Sequence, residues 1–384
     1  MDFELKKEQL DIQQAVREFA QTELTRDYLL ELERRHQFPW EVWQKACELG
    51  FVAINFPEEY GGGGYGSMEK AIVIEEFCRQ GAGVGTAITI GNFGSKIIAN
   101  RGSKAQKEKY LPQMCSGKAV TFAAFTEPDR GSDLVSTTLT TTAVKEGSHY
   151  IINGAKTFIS GASIAKFGVI LCQTNPKAVP PYKGHSIILV DCPTPGFETT
   201  DWEKMGMNSY PSCQVSLTDV RVSAENLIGE ENKGFYYALE FLNEVRVETA
   251  ATAIGIGQGA LDKAIEYAKN REAFGQKIGN FQAISHKLAE MATRVETARL
   301  MVYKAAWGID NNKADPKICS MAKWNAARAA VEIADEAIEI MGGHGYMLEN
   351  DVERFYRDAK STELVEGTKE IHKNTIAKAL LGKI

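Results

Sequence analysis

The 384-residue sequence lacks the features that mark several common classes of protein. It has no run of about 18 apolar residues, so no segment is predicted to span a membrane. Its seven cysteines are scattered and include no C-x-x-C pair, and its six histidines are equally dispersed, so neither a disulfide framework nor a metal site is expected. The 44 basic residues are outnumbered by 50 acidic ones, and this balance without any basic tract argues against nucleic-acid binding.

What the sequence does contain is the composition of an ordinary globular protein. Hydrophobic residues make up 44% and charged residues 24%, which excludes wholesale disorder. At roughly 150 residues per domain, the length predicts two to three domains. Met1 is followed by a charged amphipathic stretch rather than by the apolar core of a signal peptide, so we expect a cytoplasmic protein.

Three stretches that differ in composition and in apolar periodicity predict three domains, over residues 1–117, 118–222 and 223–384. The first is predicted to be helical. The second is rich in threonine, valine and isoleucine, and its frequent turn residues predict short β-strands. In the third, apolar residues recur at steps of three and four from Phe281 to Val302, which indicates a helix. Several long helices with short connections favour a bundle.

Individual elements can be predicted from the same patterns. Asn153 and Gly154 predict a hairpin turn between strands at Tyr150–Ile152 and Lys156–Ile159, because both central positions of such a turn favour positive φ. Helices are predicted over Leu5–Glu23, Glu41–Leu49, Met68–Arg79, Ser95–Asn100, Ser103–Tyr110, Gly234–Arg271, Phe281–Asn311, Pro316–Met341, Asn350–Arg357 and Thr368–Leu381.

Two glycine clusters invite a functional interpretation. Gly255, Gly257 and Gly259 are spaced like a dinucleotide-binding fingerprint, but that motif needs a preceding strand, and these glycines lie inside an alanine-rich helical stretch. Close helix packing is therefore the preferred interpretation. The cluster Gly342–Gly345 follows a long predicted helix, where it is consistent either with the end of that helix or with a backbone approach to a ligand.

Six short motifs follow one another along the chain. They are T-E-P-x-x-G-S-D (Thr126–Asp133), N-G-x-K-x-F-I-S (Asn153–Ser160), R-x-x-F-G (Arg271–Gly275) with Phe281 and Gln282, G-G-x-G (Gly342–Gly345), R-x-Y-R-D (Arg354–Asp358) and V-E-G-T (Val365–Thr368). In this order and spacing they closely resemble the acyl-CoA dehydrogenase family of FAD flavoproteins. The resemblance covers essentially the whole chain.

The resemblance implies a fold, a cofactor and partners. The implied fold is α+β and multidomain, with a helical N-terminal domain, a central β-barrel and a C-terminal four-helix bundle. FAD is implied to lie between barrel and bundle, with a second subunit completing its site within a homotetramer. The implied partners are an acyl-CoA substrate and an electron-transferring flavoprotein, without membrane insertion.

Residue by residue, the resemblance also implies contacts with FAD. Ala123 and Glu370 depart from the family, in which an aromatic residue and a glutamine are frequent at these positions. The implied FAD contacts are Ala123, Phe125, Thr126, Gly131, Ser132, Phe158, Ser160, Arg271, Phe274, Phe281, Gln282, Ile340, Gly342, Gly343, Thr368 and Glu370. An arginine such as Arg271 suits a pyrophosphate, since its planar fork pairs with two phosphate oxygens.

Glu366 matches the family's catalytic base, which removes the α-proton of the thioester while the β-carbon yields a hydride to flavin N5. One branch of the family has its base immediately before the arginine matched here by Arg246. This chain has Val245 there, so Glu366 is preferred and Glu244 is the fallback. The implied substrate contacts are Ser132, Asn243, Arg246 and Gly367.

The substrate is expected to be an alicyclic acyl-CoA of the cyclohexane-carboxyl type, or one with a short or medium chain. The segments Phe56–Tyr60, Phe77–Arg79 and Ala124–Asp129 look like the alicyclic branch. Gly81–Asn100, which is expected to shape the acyl end around Asn92, contains no acidic residue and no arginine. Members of that branch that catalyse 1,4-dehydrogenation use a second acid in this segment, so ordinary α,β-dehydrogenation is favoured here. The missing arginine argues against a dicarboxylic acyl chain. An enoyl-CoA reductase, an acyl-CoA oxidase and a DNA-binding family member stay as alternatives.

Overall fold

Seven helices form the N-terminal part of the protein. The computed structural model describes residues 4–382, so the outer ends of the first and third predicted domains lie outside the described residues. The helices are α1 (Lys7–Glu23), α2 (Arg26–Arg35), α3 (Trp40–Glu48), α4 (Ser67–Gly81), α5 (Gly83–Thr89), α6 (Ser95–Arg101) and α7 (Lys104–Cys115). Among residues 4–382, none of the helices is long and apolar enough to cross a bilayer.

Helix α5 is one of two N-terminal helices, with α2, that the sequence patterns do not predict. Two of its seven residues are glycine and two are threonine, which are weak helix formers. Tertiary contacts stabilise it instead. A Cβ on Gly85 would lie 2.3 Å from the carbonyl oxygen of Phe77, so α5 packs closely on α4, and the Asp358 carboxylate accepts a hydrogen bond from the Gly83 N–H at the start of the helix (2.8 Å).

The middle of the chain forms one curled seven-stranded sheet with the order β1-β4-β2-β3-β7-β6, in which β5 also pairs with β4. Its strands are β1 (Thr121–Ala124), β2 (Thr142–Glu146), β3 (His149–Ser160), β4 (Phe167–Gln173), β5 (His185–Asp191), β6 (Phe197–Asp201) and β7 (Ser212–Ser223). Side chains from β1, β3, β4 and β7 converge in one buried cluster, as the curling of the sheet requires.

The predicted hairpin at Asn153 and Gly154 is wrong. Both residues lie inside the continuous strand β3, next to an irregularity in its pairing with β7, and the turn lies earlier, at Gly147 between β2 and β3. The reason is tertiary. A Cβ on Gly154 would lie 2.5 Å from the Thr141 Cα, and the Asn153 side chain makes two hydrogen bonds to Asp219 on the neighbouring strand (2.8 and 3.0 Å).

Long helices form the C-terminal part and meet in an alanine-rich core. They are α8 (Gly234–Asn270), α9 (Gln282–Asp310), α10 (Pro316–Met341), α11 (Val352–Thr362) and α12 (Lys369–Leu381), with a small hairpin of β8 (Glu272–Ala273) and β9 (Gln276–Lys277) between α8 and α9. The predicted fold class of helical, β and helical parts is confirmed. The stripe that begins at Phe281 buries Met291, Val295, Ala298 and Val302 in the core.

The glycines of α8 are explained by helix packing. A Cβ on Gly255 would lie 2.4 Å from the Glu75 carbonyl oxygen, and one on Gly259 would lie 2.2 Å from the Arg79 carbonyl oxygen. These two glycines therefore let α8 lie against α4 at backbone contact distance. Gly257 faces the other way, where the nearest atom to an added Cβ is a side-chain carbon of Ile333 at 3.4 Å.

We expect Gly255→Ala to lower the free energy of unfolding by about 1–3 kcal/mol, because the new methyl group overlaps the backbone of α4. Gly257→Ala is the matched control on the same helix. It should be neutral, or stabilising by up to about 1 kcal/mol through helix propensity. Urea unfolding of the two variants measures the difference. A Gly255→Ala protein of normal stability that has lost its nucleotide ligand would contradict the packing interpretation.

Candidate active site

Glu366 lies in the loop between α11 and α12, in an unusual backbone conformation. Its φ is +54°, and that of Gly367 is +104°, so two consecutive residues are left-handed. For a residue with a Cβ, this conformation costs about 1–3 kcal/mol. Two buried cations hold the loop there: Lys323 Nζ donates to the Gly367 carbonyl at 2.8 Å, and Arg246 Nε donates to the Glu366 carbonyl at 3.5 Å.

The electrostatics of this loop suit a base that works near neutral pH. Burial raises the pKa of Glu366 to about 7, although Lys323 and Arg246 act in the opposite direction. Burial also lowers the pKa of Lys323, to about 8. Among residues 4–382, the Glu366 carboxylate accepts no hydrogen bond, and neither does its backbone N–H donate one. Both groups are thus available to a ligand.

His372, in the first turn of α12, lies next to the Glu366 loop. It is fully buried, and its ring lies beside Gly367 and near Lys323 and Arg246. Burial and the two cations lower its pKa to about 3, so the ring is neutral at physiological pH. It therefore adds no third positive charge to the base loop.

The other predicted substrate residues are on α8. Arg246 Nη1 donates to Asn243 Oδ1 at 3.4 Å, so Asn243, Arg246, Glu366 and Gly367 are brought together. Ser132 is exposed, in the loop that follows β1. The fallback Glu244 accepts a hydrogen bond from Asn100 at 3.4 Å, and burial raises its pKa to about 7.

Two of the six motifs are joined by a buried ion pair. Glu127 and Lys156, with side chains 1% and 0% exposed, lie 3.1 Å apart, and Lys156 also donates to the Phe125 carbonyl (3.0 Å). Burial would raise the pKa of Glu127, but Lys156 and hydrogen bonds from Thr140 and Thr141 outweigh it and hold that pKa at about 2. The pair fixes the segment of Thr126 against β3.

Near this ion pair, Thr126 and Phe158 form a ledge on the surface of the β domain. The Thr157 N–H donates to the Thr126 carbonyl (3.0 Å), and the neighbouring Phe158 is 69% exposed with a φ of +58°. Ser160, at the end of β3, is half-buried. Ala123 and Phe125 are buried behind the ledge, and Gly131 is exposed beside it.

A second group of predicted cofactor residues lies at the far end of α8. Phe274 is 96% exposed, with a φ of +51°, and contacts Phe281 (ring centroids 6.1 Å apart). The end of α10 reaches the same place, since Tyr267 and His344 are hydrogen-bonded at 3.2 Å. The group also contains exposed Arg271, Gln282, Gly342 and Gly343, with Ile340 buried at the end of α10.

These residues fit FAD chemically. Exposed aromatic rings on left-handed backbone are suited to stacking on a flat heterocycle, and Arg271 offers two donors to a pyrophosphate. An added Cβ on Gly342 or Gly343 would meet no atom within 4 Å, so space is open for a ligand beside them. Thr368 begins α12, and Glu370 is exposed in its first turn.

This second group, called the far group below, lies well away from the Glu366 loop within one chain. At 1.5 Å per residue, Arg246 and Arg271 are separated by about 37 Å along α8. The structure therefore places Thr126, Phe158 and Ser160 in the β domain and Glu366 at one end of the helical part. It leaves Arg271, Phe274, Phe281 and Gln282 at the other end.

Comparison with known proteins decides the family. Sequence models of the acyl-CoA dehydrogenase N-terminal, middle and C-terminal domains match residues 6–118, 123–220 and 232–381. The chain belongs to the acyl-CoA dehydrogenase family. It is thus a flavin-dependent oxidoreductase of acyl-CoA thioesters, with FAD as its cofactor, and the resemblance stated from the motifs is confirmed.

Individual relatives are similar over their full length. Acryloyl-CoA reductase (NADH) of Anaerotignum propionicum is 40% identical over 99% of this chain and 96% of its own. The caffeyl-CoA reductase–Etf complex subunit CarC of Acetobacterium woodii is 39% identical over 97% of this chain and 98% of its own. The structure of butyryl-CoA dehydrogenase from Megasphaera elsdenii, 33% identical, covers 99% of this chain and 100% of that one with a TM-score of 0.94.

Sequence reasoning missed several charged residues at the site of this acyl-CoA dehydrogenase. Lys323 lies among the buried residues Cys319, Ala322 and Ala326 of α10, and Glu248 lies in the apolar, alanine-rich part of α8. A lone charge in an apolar stripe is unusual, and that was the available signal. Which groups these charges face depends on tertiary structure.

We expect Lys323→Met to raise the pKa of Glu366 further, because the variant removes a neighbouring positive charge. The rising limb of the pH profile of kcat/KM should move up by about 1–3 pH units. Lys323→Arg should move it less, and Lys304→Met, an exposed position on α9, should leave it unchanged. A Lys323→Met enzyme with lower stability but an unshifted profile would show that this lysine has only a structural role.

Proposed function

We propose that the enzyme converts an acyl-CoA to the 2-enoyl-CoA by α,β-dehydrogenation, with Glu366 as the base that takes the α-proton. The observation that carries this proposal is the Glu366 loop. Among residues 4–382 its carboxylate accepts no hydrogen bond, two cations hold the backbone carbonyls of the loop, and burial raises its pKa to about 7. A base with a pKa near the working pH is the most effective one.

The same loop offers a way to stabilise the developing enolate. As the α-proton leaves, negative charge grows on the thioester oxygen, and hydrogen bonds to that oxygen must strengthen in the transition state. The free N–H of Glu366 is such a donor, and the left-handed backbone holds it in place. We propose that Asn243, Arg246, Gly367 and Ser132 bind the CoA thioester around it.

We propose that FAD is held by the β-domain ledge of one subunit and by the far group of a second subunit. When bound, FAD supplies the acceptor for the hydride that leaves the β-carbon. The chain's own residues orient the two: Thr126, Phe158 and Ser160 on one side, and Arg271 with the aromatic rings of Phe274 and Phe281 on the other. The three predicted domains thus wall in one shared site.

We expect Glu366→Gln to lower the rate of anaerobic flavin bleaching by acyl-CoA about 10²–10⁴-fold, since the amide cannot accept the proton. The bound flavin should be retained. In the unmodified enzyme, kcat/KM should rise with pH through about 7, as the carboxylate loses its proton. Glu244→Gln is the matched control and should bleach normally. The opposite result for the two variants would assign the base to Glu244.

The same site also supports the reverse reaction, reduction of a 2-enoyl-CoA. Two of the relatives described above carry the names of reductases, and proton transfer by Glu366 is reversible. Initial rates with acyl-CoA and an oxidised dye, set against enoyl-CoA and a reduced dye, decide the physiological direction. The reductase–Etf relative supports an electron-transferring flavoprotein as the redox partner in either direction.

The acyl group is the least constrained part of the proposal. The alicyclic class, or a short to medium chain, is consistent with Gly81–Asn100, which contributes most of α6, a helix that contacts α8. A panel of linear, branched and cyclohexane-type CoA esters in the bleaching assay tests this class.

The proposed homotetramer makes a distinctive prediction, because each site would combine Glu366 of one subunit with Arg271 of another. Glu366→Gln and Arg271→Glu should each be inactive alone. When they are mixed as differently tagged subunits with excess FAD, half of the sites in each mixed pair carry both intact residues. Activity should return to about one quarter of normal for random pairing.

The control is a mixture of Glu366→Gln with unmodified subunits, which should show activity in proportion to the unmodified chains. Mixed assemblies that are purified by both tags and still show no activity would contradict the shared site. Native mass spectrometry of the same samples gives the number of subunits.

A further inference from the structure

Helices α4 and α8 lie side by side, and an acidic residue stands in the apolar face between them. Glu248 shares a face of α8 with Phe241, seven residues before it, and Thr252, four residues after it. Phe241 contacts the rings of Phe93 and Phe125 (centroids 5.1 and 6.1 Å apart), and Thr252 is buried. Glu248 is thus a half-buried carboxylate in a face that otherwise packs against the N-terminal helices and β1.

This face belongs to the acyl end of the site. Glu248 lies two residues after Arg246, whose side chain donates to the Glu366 carbonyl (3.5 Å), so it stands on α8 beside the base loop. Its charge raises the pKa of Glu366, and the charges of Lys70 on α4 and Lys96 on α6 act on Glu248 in turn. Glu244 lies one helical turn before it and is hydrogen-bonded to Asn100. The carboxylates of Glu244 and Glu366 are therefore both neighbours of Glu248.

The lysines nearby already donate to the backbone. Lys70 Nζ donates to the carbonyl oxygens of Val52 (3.0 Å) and Thr89 (2.8 Å), and Lys96 Nζ donates to that of Asn55 (2.6 Å). Lys70 is therefore held by the backbone of the loop after α3 and by the last residue of α5, and not by an acid.

The acceptors in the same region lack donors. Within residues 4–382, the Glu248 carboxylate makes no hydrogen bond and no ion pair. The buried Asn55 Oδ1, on the residue whose carbonyl binds Lys96, also has no hydrogen-bond partner. The buried Asn55 oxygen is costly unless a donor reaches it, and the half-buried Glu248 carboxylate leaves its oxygens open to a donor on a ligand.

The charge balance limits what that donor is. The three carboxylates Glu244, Glu248 and Glu366 stand against the cations Lys70, Lys96, Lys323 and Arg246, so the region has no excess of negative charge that would call for a cationic ligand. An ionised acidic acyl group would make the count four against four, but it brings only acceptors and so cannot donate to Glu248 or to Asn55 Oδ1. A neutral donor fits both observations.

We infer that Glu248 recognises a hydroxyl group on the acyl portion of the substrate, so that the preferred substrate class is a hydroxyacyl-CoA whose hydroxyl lies beyond the β-carbon. The hydroxyl donates to the Glu248 carboxylate. This inference rests on the proposed function, because it takes Glu366 to mark the α-carbon. Glu248 is then a specificity-determining residue and takes no part in proton transfer.

The experiment measures equilibrium binding in the Glu366→Gln holoprotein, so that turnover does not interfere. Two matched pairs of ligands are compared: butyryl-CoA with 4-hydroxybutyryl-CoA, and cyclohexanecarboxyl-CoA with 4-hydroxycyclohexanecarboxyl-CoA. With Glu248 intact, the hydroxylated member of at least one pair should bind about 10- to 100-fold more tightly, as for a hydrogen bond to a charged group. Glu248→Gln should reduce the preference, and Glu248→Leu should abolish or reverse it.

Glu108→Gln, at an exposed position of α7, is the control and should keep the preference. Equal affinity within both pairs, or a preference that survives Glu248→Leu, would overturn the inference. If Glu248→Leu does not fold, the isosteric Glu248→Gln decides in the same way, since an undiminished preference in that variant excludes the carboxylate as the acceptor. Normal bleaching by Glu366→Gln would refute the base assignment alone, because the preference within each pair can then still be measured as a ratio of kcat/KM values. Binding of neither pair would overturn both proposals.

Discussion

One carboxylate holds the three parts of the molecule in place. Asp358, on α11, accepts a hydrogen bond from the Gly83 N–H at the start of α5 and another from the Met207 N–H in the β domain (2.8 and 2.5 Å). The contacts are so close that a Cβ on Gly83 or on Gly206 would lie within 2.7 Å of its oxygens. Arg357 beside it pairs with Glu33 of α2 (2.7 Å). Because α11 leads directly into the Glu366 loop, this junction also sets where the base stands.

In the loop of Glu366, burial and the neighbouring positive charges have opposite effects on the pKa of the base. The left-handed backbone of the loop is costly, and the Lys323 and Arg246 side chains that hold it come from α10 and α8, which pack on each other in the alanine-rich core. The same two cations keep a buried carboxylate ionisable near neutral pH, against desolvation and the charge of Glu248, which both raise its pKa. The position and the basicity of Glu366 therefore depend on the same two side chains. A substitution in the core of the bundle that moves α8 or α10 would change both.

Much of the fold could be predicted from the sequence, and the failures have a common cause. Helix α10 begins and ends at the predicted residues, Pro316 and Met341, because its apolar period, its N-terminal proline and its following glycines are all local signals. Asn153 and Gly154 carry an equally strong local signal for a turn, yet contacts to Thr141 and Asp219 keep them in a strand. At the site, the motif order pointed to Glu366 and Arg246, whereas Lys323 and Glu248 required knowledge of which helix faces meet.

The motifs work as a set because their members are bound to each other across the fold. Glu127 and Lys156 are far apart in the sequence but form a buried ion pair. Replacing either residue alone would leave an unpaired buried charge and lower the free energy of unfolding by about 3–5 kcal/mol. Asp358 likewise links its motif to other parts of the chain, because its carboxylate packs directly against Gly83 and Gly206. Such pairs constrain the scaffold and not the acyl group. Among the described residues 4–382, Glu248 forms no hydrogen bond or ion pair of this kind. A substitution there therefore leaves these links intact and, on the role proposed for Glu248, alters substrate preference.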